Sequence, residues 1–128
     1  MNIVLWVLQV LLGLMFLLAG FMKASQTNEK IKESGGERMA WVDSLTDGQV
    51  TIIGVLELLA GIGLILPMLT GILPILTPFA AVGLVLTMIG AAALHIQRGD
   101  GTQPIVMNVI LGALAAFVAY GRFVLVPA

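Results

Sequence analysis

The strongest constraint on this chain is four long stretches of nearly unbroken apolar sequence, at about residues 2–23, 49–68, 73–96 and 104–125. A helix needs about 20 mostly apolar residues to cross roughly 30 Å of hydrocarbon. Lipid offers no hydrogen bonds, so the backbone there must satisfy itself, as a helix or as a closed barrel. None of the four stretches alternates apolar and polar residues with period two, which disfavours a small barrel. The expected fold is all-α: a polytopic membrane protein whose four spanning helices form an antiparallel bundle, one membrane domain over residues 1–128.

Composition agrees. Hydrophobic residues make up 59% of the chain and charged residues 10%, against about a quarter charged in soluble domains. The first run, MNIVLWVLQVLLGLMFLLAG, has no positive n-region, no A-x-A site after it and too long an apolar stretch for a secretory signal. It is expected to remain as the first span. The absence of cysteine excludes disulfides, thiol catalysis, thiolate metal sites and iron–sulfur clusters. A single histidine cannot make an all-His metal site or a bis-His haem, so no metal site and no intrinsic cofactor are expected. A net charge of −1 without a basic stripe gives no nucleic-acid signal. The seven methionines are scattered and are expected to serve packing.

The connections differ in kind. Residues 24–48 form a polar loop that holds most of the charge, broken at Gly35-Gly36. Met39, Trp41, Val42 and Leu45 then suit a short amphipathic piece at the interface. Thr46 or Asp47 is the expected N-cap of the second span. PMLTGILP (67–74) is a tight link with proline at both ends, and Pro78 should set or kink the start of the third span. The third link is the glycine-rich QRGDGT. Lys23, Lys30, Lys32, Arg38 and Arg98 fall on the side of loops one and three, and only Arg122 on the other. Positive charge favours the cytoplasmic side. Loops 24–48 and 97–103 are therefore expected in the cytoplasm, with the protein multi-pass in the inner (cytoplasmic) membrane.

Each span carries small and polar residues at alternating three- and four-residue spacing, which is one helical face. The faces are Gln9, Gly13, Phe16, Gly20, Lys23; Val50, Gly54, Glu57, Gly61, Leu64; Gly83, Thr87, Ala91, His95; and Asn108, Gly112, Ala115, Ala119, Arg122. Small residues let membrane helices approach closely, so these faces should meet. At about 1.5 Å of rise per residue, Glu57 lies roughly 10 Å in from the loop-one end. Lys23, His95 and Asn108 come to that same half of the bundle. A charge near mid-membrane costs about 2.5–3.5 kcal/mol on insertion scales and usually marks a site or pathway. Burial disfavours an ionised carboxylate and a nearby ammonium favours it. Glu57 is thus either a protonated acid or half of an ion pair with Lys23, with His95 or Asn108 in hydrogen-bonding reach.

Blander readings stand beside these. Lys23 at a helix end equally suits snorkelling, His95 suits the interface, and Asn108 suits glue between helices. Gln9, Thr87 and Arg122 lean structural, with Arg122 at the usual position of an interface anchor.

A first span ending LLAGFMKAS, a polar loop, then IGVLELLAGIGLILP and a third span ending ALHI resembles the DoxX-like membrane proteins. Gly20…Lys23 and Gly54-x-x-Glu57…Pro67 carry the most specific part of the resemblance, which covers essentially the whole chain. The resemblance implies a four-helix inner-membrane protein in which Lys23, Glu57 and His95 surround a lipophilic small molecule such as a quinone, a diffusible ligand. It implies a role beside a redox or quinone/thiol-stress system, with a partner subunit or a homo-oligomer. Glu57 and His95 would be the catalytic acid–base pair, and Lys23, Glu57, His95 and Asn108 the ligand-binding set. The alternatives are a proton-coupled exporter of small molecules, with Glu57 alternating between proton and substrate, and a non-catalytic interaction protein whose polar core only fixes the bundle. The lipid bilayer is a partner on every reading.

Overall fold

The computed structural model describes residues 1–128. It contains helices and no strand: α1 (Asn2–Ser25), α2 (Asn28–Gly35), a 3-10 segment (Gly36–Ser44), α3 (Asp47–Thr70), α4 (Leu76–Arg98) and α5 (Thr102–Tyr120), which runs on through a π turn over Gly121–Leu125. Four of these helices are long and apolar enough to cross a membrane: α1, α3, α4 and α5 with its π turn. They form the expected all-α bundle.

The first two spans meet along the expected faces. Gln9, Gly13, Phe16 and Gly20 of α1 and Val50, Gly54, Glu57, Gly61 and Leu64 of α3 are buried. The glycines set the spacing. A Cβ on Gly20 would lie 2.6 Å from the Gly54 carbonyl oxygen, and one on Gly61 would lie 2.8 Å from that of Gly13. The backbones themselves touch, so neither helix could give way to a side chain there.

The third span differs from expectation. Its buried face is Thr77, Pro78, Ala81, Leu84 and Met88, whereas Gly83, Thr87, Ala91 and His95 are only half-buried. A Cβ on Gly83 would meet nothing within 4 Å. Larger apolar residues fill the contact because α4 packs on α5 at ordinary side-chain distance, where Leu84 and Met88 join Ala115 and Val118 in the main core.

The sequence pattern puts Pro67 at the start of the second link, but it lies inside α3, which continues to Thr70 and ends at Gly71 in the left-handed conformation. Proline has no N–H, so the carbonyl four residues earlier, that of Gly63, loses its helical donor. The Thr77 hydroxyl of α4 donates to it at 2.7 Å. One hydrogen bond thus heals the proline defect and ties α4 to α3 beside their link. Such repair by a neighbouring Thr is how lipid-embedded helices tolerate proline.

Loop one is folded. Thr27 caps α2 by accepting from the Lys30 N–H at 3.3 Å, and Gly36, at φ 68°, ends it. The 3-10 segment returns so that Ile31, Val42 and Val50 form a second, small core with Met39, Trp41 and Leu45 around it. The Asn28 side chain donates to the carbonyls of Val42 at 3.1 Å and Leu45 at 2.9 Å, pinning that segment across the end of the bundle. Thr46 and Gln49 form a reciprocal capping box that starts α3.

Arg122 is not an interface anchor. Its side chain is 1% exposed. Nε donates to Gln9 Oε1 at 2.6 Å and Nη1 to Asn2 Oδ1 at 2.8 Å, so α5 is strapped to α1 at the end away from loop one. Gln9 in turn donates to the Leu64 carbonyl of α3 at 2.8 Å. The Trp6 ring lies 5.7 Å from the guanidinium carbon.

Alanine at Gly20 or Gly54 should therefore lower stability by about 1–3 kcal/mol, the usual penalty for overpacking. Gly83→Ala or Gly90→Ala, where a Cβ meets nothing, should change it little. Denaturant unfolding in mixed micelles checks this; equal effects at all four positions would contradict the glycine contact.

Candidate functional site

Glu57 is 2% exposed and lies where α1 and α3 pack backbone to backbone. That packing brings the end of α1 alongside, and Lys23 Nζ donates to Glu57 Oε1 at 2.6 Å. Of the two sequence alternatives the structure takes the ion pair, and Lys23 does not snorkel: its side chain is 14% exposed. The ammonium also sits 5.5 Å from the centre of the Trp41 ring, which the 3-10 segment lowers over it. The charge is therefore held by a carboxylate on one side and an aromatic face on the other.

His95 and Asn108 do not bond to Glu57. His95 Nδ1 instead meets Asp100 Oδ2 at 2.7 Å. Arg98 Nε donates to the same oxygen at 3.1 Å, and Arg98 Nη1 donates to Ser44 Oγ at 2.6 Å. These contacts make a clasp across the end of the bundle: the C-terminus of α4 holds the third link on one side and the 3-10 segment on the other. Asn108 has a buried side-chain nitrogen without any partner.

All four expected site residues nevertheless open on one space. A cavity of about 550 Å³ lies between α3 and α4 in the loop-one half of the bundle, and Lys23, Glu57, His95 and Asn108 all line it. Ile53 and Leu56 of α3 and Met88, Ala91 and Leu94 of α4 supply apolar wall, and Trp41 and Leu45 roof it. Its origin is in the packing. Near the second link, α3 and α4 are held together by the Thr77–Gly63 hydrogen bond, with Ala80 against Gly63. Towards loop one no such tie joins them, and the small residues Gly90, Ala91 and Ala93 line the gap. Thr87 also reaches this wall, but its hydroxyl is committed to the Gly83 carbonyl at 2.8 Å.

Sequence reasoning missed Trp41 as roof and the whole Ser44–Arg98–Asp100 clasp. Asp100 had a local signal: it follows His95 by five residues across a glycine in the left-handed conformation, Gly99, which folds the chain back over the helix end. Trp41 carried only the signal of a short amphipathic piece at the interface and Ser44 none, since only the return of the 3-10 segment brings them there.

A cavity that presents an ion pair and a free amide donor among apolar walls can bind a small, mostly apolar molecule carrying one or two hydrogen-bond acceptors. The Glu57 carboxylate and Lys23 ammonium can also pass a proton to or from such a molecule. The model of the DoxX-like family matches residues 7–118, a span that includes all four of these residues. No curated protein and no solved structure matches the chain.

Two outcomes follow from this geometry. Lys23→Met leaves a buried carboxylate unpaired and should cost about 3–5 kcal/mol, most of it recovered in the Lys23→Met/Glu57→Gln pair; denaturant unfolding of the three proteins tests this. The second concerns Asp100. The hydrogen bond from His95 holds its carboxyl below its ordinary value of 3.8, against some desolvation and with the hydrogen bond and charge of Arg98 adding to the effect. A lowered folded value means that the clasp's contribution is complete above the ordinary carboxylate range and is lost only as pH falls below it. The Asp100 side-chain carboxyl resonance should titrate with a midpoint under 3.8, and His95→Ala should move that midpoint up.

Proposed function

The chain belongs to the DoxX-like family, and from that premise we propose that it binds a lipophilic, quinone-like small molecule beside Glu57, as a subunit or accessory of a redox or quinone/thiol-stress system. One observation carries this reading: one polar residue from each of the four spans opens on the same largely apolar cavity, and one of them, Asn108, offers a donor that nothing in the chain accepts. A ring carbonyl satisfies that donor. A second carbonyl within the cavity takes a hydrogen bond from Lys23, whose ammonium has further protons to give, and the ring lies against Trp41.

The chain's contribution to chemistry is then proton transfer and placement. Glu57 and Lys23 exchange a proton with the bound oxygen, and the Trp41 roof keeps bulk water away. With no cysteine in the chain a thiol relay is excluded, so electrons come from a partner subunit and the quinone is the diffusible redox group. The excess of Lys and Arg on loops one and three supports an inner-membrane orientation with those loops in the cytoplasm.

The test is direct binding. Purified protein titrated with a short-chain benzoquinone should quench Trp41 fluorescence in a Trp6→Phe background. Asn108→Leu should weaken binding about tenfold, the worth of one buried hydrogen bond, and Glu57→Gln should weaken it further. Equal affinity in all three proteins, or none in any, overturns the reading.

A further inference from the structure

A second chamber of about 400 Å³ lies on the loop side of the Glu57 cavity, lined by Glu37, Arg38, Asp100, Gln103 and their neighbours. The two chambers have two lining residues in common, Trp41 and His95. These two residues therefore lie where the chambers adjoin. The chambers differ in what their exposed edges face: Glu37, Arg38 and Gln103 of the outer lining are exposed on the loop side and meet water, whereas Leu56, Gly90 and Ala93 of the inner lining are exposed within the spans α3 and α4 and face the bilayer.

Both shared residues are held from outside. Asp100 holds the His95 ring, Arg98 joins the same carboxylate, and Arg98 also takes Ser44, three residues after Trp41. From the inner side Trp41 has only the Lys23 ammonium over its face and the apolar packing of the small loop core. The clasp residues are partly exposed, at 13–24% for His95, Asp100 and Arg98. Hydrogen bonds this exposed open locally far more readily than those of a buried core.

We infer that the outer chamber is the water-side entrance to the Glu57 cavity, that Trp41 and His95 are its gate, and that Asp100, Arg98 and Ser44 form the latch. This rests on the inner cavity being a binding site, and it narrows the ligand class. A molecule that arrives from water through this gate is a small amphiphile of about one ring, soluble enough to cross the interface, rather than a long-tailed lipid confined to the bilayer. It also gives His95 a task apart from acid–base work: its Nδ1 is engaged by Asp100 while the ring blocks the path, so it positions the gate.

The chain contains no cysteine, which makes single-cysteine labelling clean. Ala91→Cys places a thiol on the inner cavity wall, and Gln103→Cys places one in the outer chamber. Each full-length protein, reconstituted in vesicles, is treated with a permanently charged methanethiosulfonate and, separately, with an uncharged lipophilic maleimide. Gln103→Cys should react quickly with the charged reagent and Ala91→Cys slowly. Asp100→Asn, which lies outside the spans, should raise the charged-reagent rate at Ala91→Cys about tenfold, the effect of losing a hydrogen bond to a charged group. His95→Ala should raise it at least as much, and neither should change the rate at Gln103→Cys. The inference is overturned if Ala91→Cys reacts only with the lipophilic reagent in every background, which would mean access from the bilayer. It is equally overturned if the charged-reagent rate is the same with and without the latch. No ligand enters this assay, so its failure is separate from a failure of quinone binding.

Discussion

Everything in this bundle depends on the direct contact of two helix backbones. Gly20 of α1 faces Gly54 of α3 backbone to backbone, and Gly13 faces Gly61 with the side chains of Ile65 and Leu17 packed alongside. In lipid there is no hydrophobic drive to bring helices together, so close van der Waals contact has to do it. The same contact sets the register that lays Lys23 beside Glu57. A helix separated by one more methyl group would leave the ammonium and the carboxylate to find other partners, in a medium that has none.

The second constraint is that a polar group left unpaired in lipid is costly, and the chain meets it pairwise between spans, with Asn108 Nδ2 and Arg122 Nη2 the buried side-chain atoms of the spans that stay unpaired. Lys23 meets Glu57 near loop one, Thr77 meets the carbonyl freed by Pro67 near the second link, and Arg122 meets Gln9 and Asn2 at the far end. These ties are unevenly spread. Spans α3 and α4 are joined at the link end and part towards loop one, and that uneven fastening is what makes a cavity there. The folded loop then roofs it, because Ile31, Val42 and Val50 give the loop a core of its own.

Much of this is legible in the order of the residues. Length and lack of charge give four spans, since lipid leaves the backbone no alternative. The small-residue period gives the inward faces of α1 and α3 residue by residue, because glycine in a membrane helix has a use at a close contact. The period is a poorer guide where side chains of ordinary size do the packing. On α4 it points to the stripe through Gly83 and His95, whereas Ala81, Leu84 and Met88 make the contact; apolar residues on both sides of a membrane helix leave no contrast to read. Position near a helix end suggests an interface role for Arg122. Its burial follows instead from Gln9 and Asn2 arriving from the other end of the chain.

The sequence by itself thus determined the number of spans, the glycine seam and the gathering of Lys23, Glu57, His95 and Asn108 in one half of the bundle. These are consequences of period and depth, which are properties of single helices. Only the tertiary structure decided who touches whom: that Glu57 pairs with Lys23, that His95 turns to Asp100, and that Asn108 is left without a partner. Such pairings depend on the angle between helices and on where a loop comes to rest. Contacts made across the whole chain set both, and no stretch of it carries that information alone.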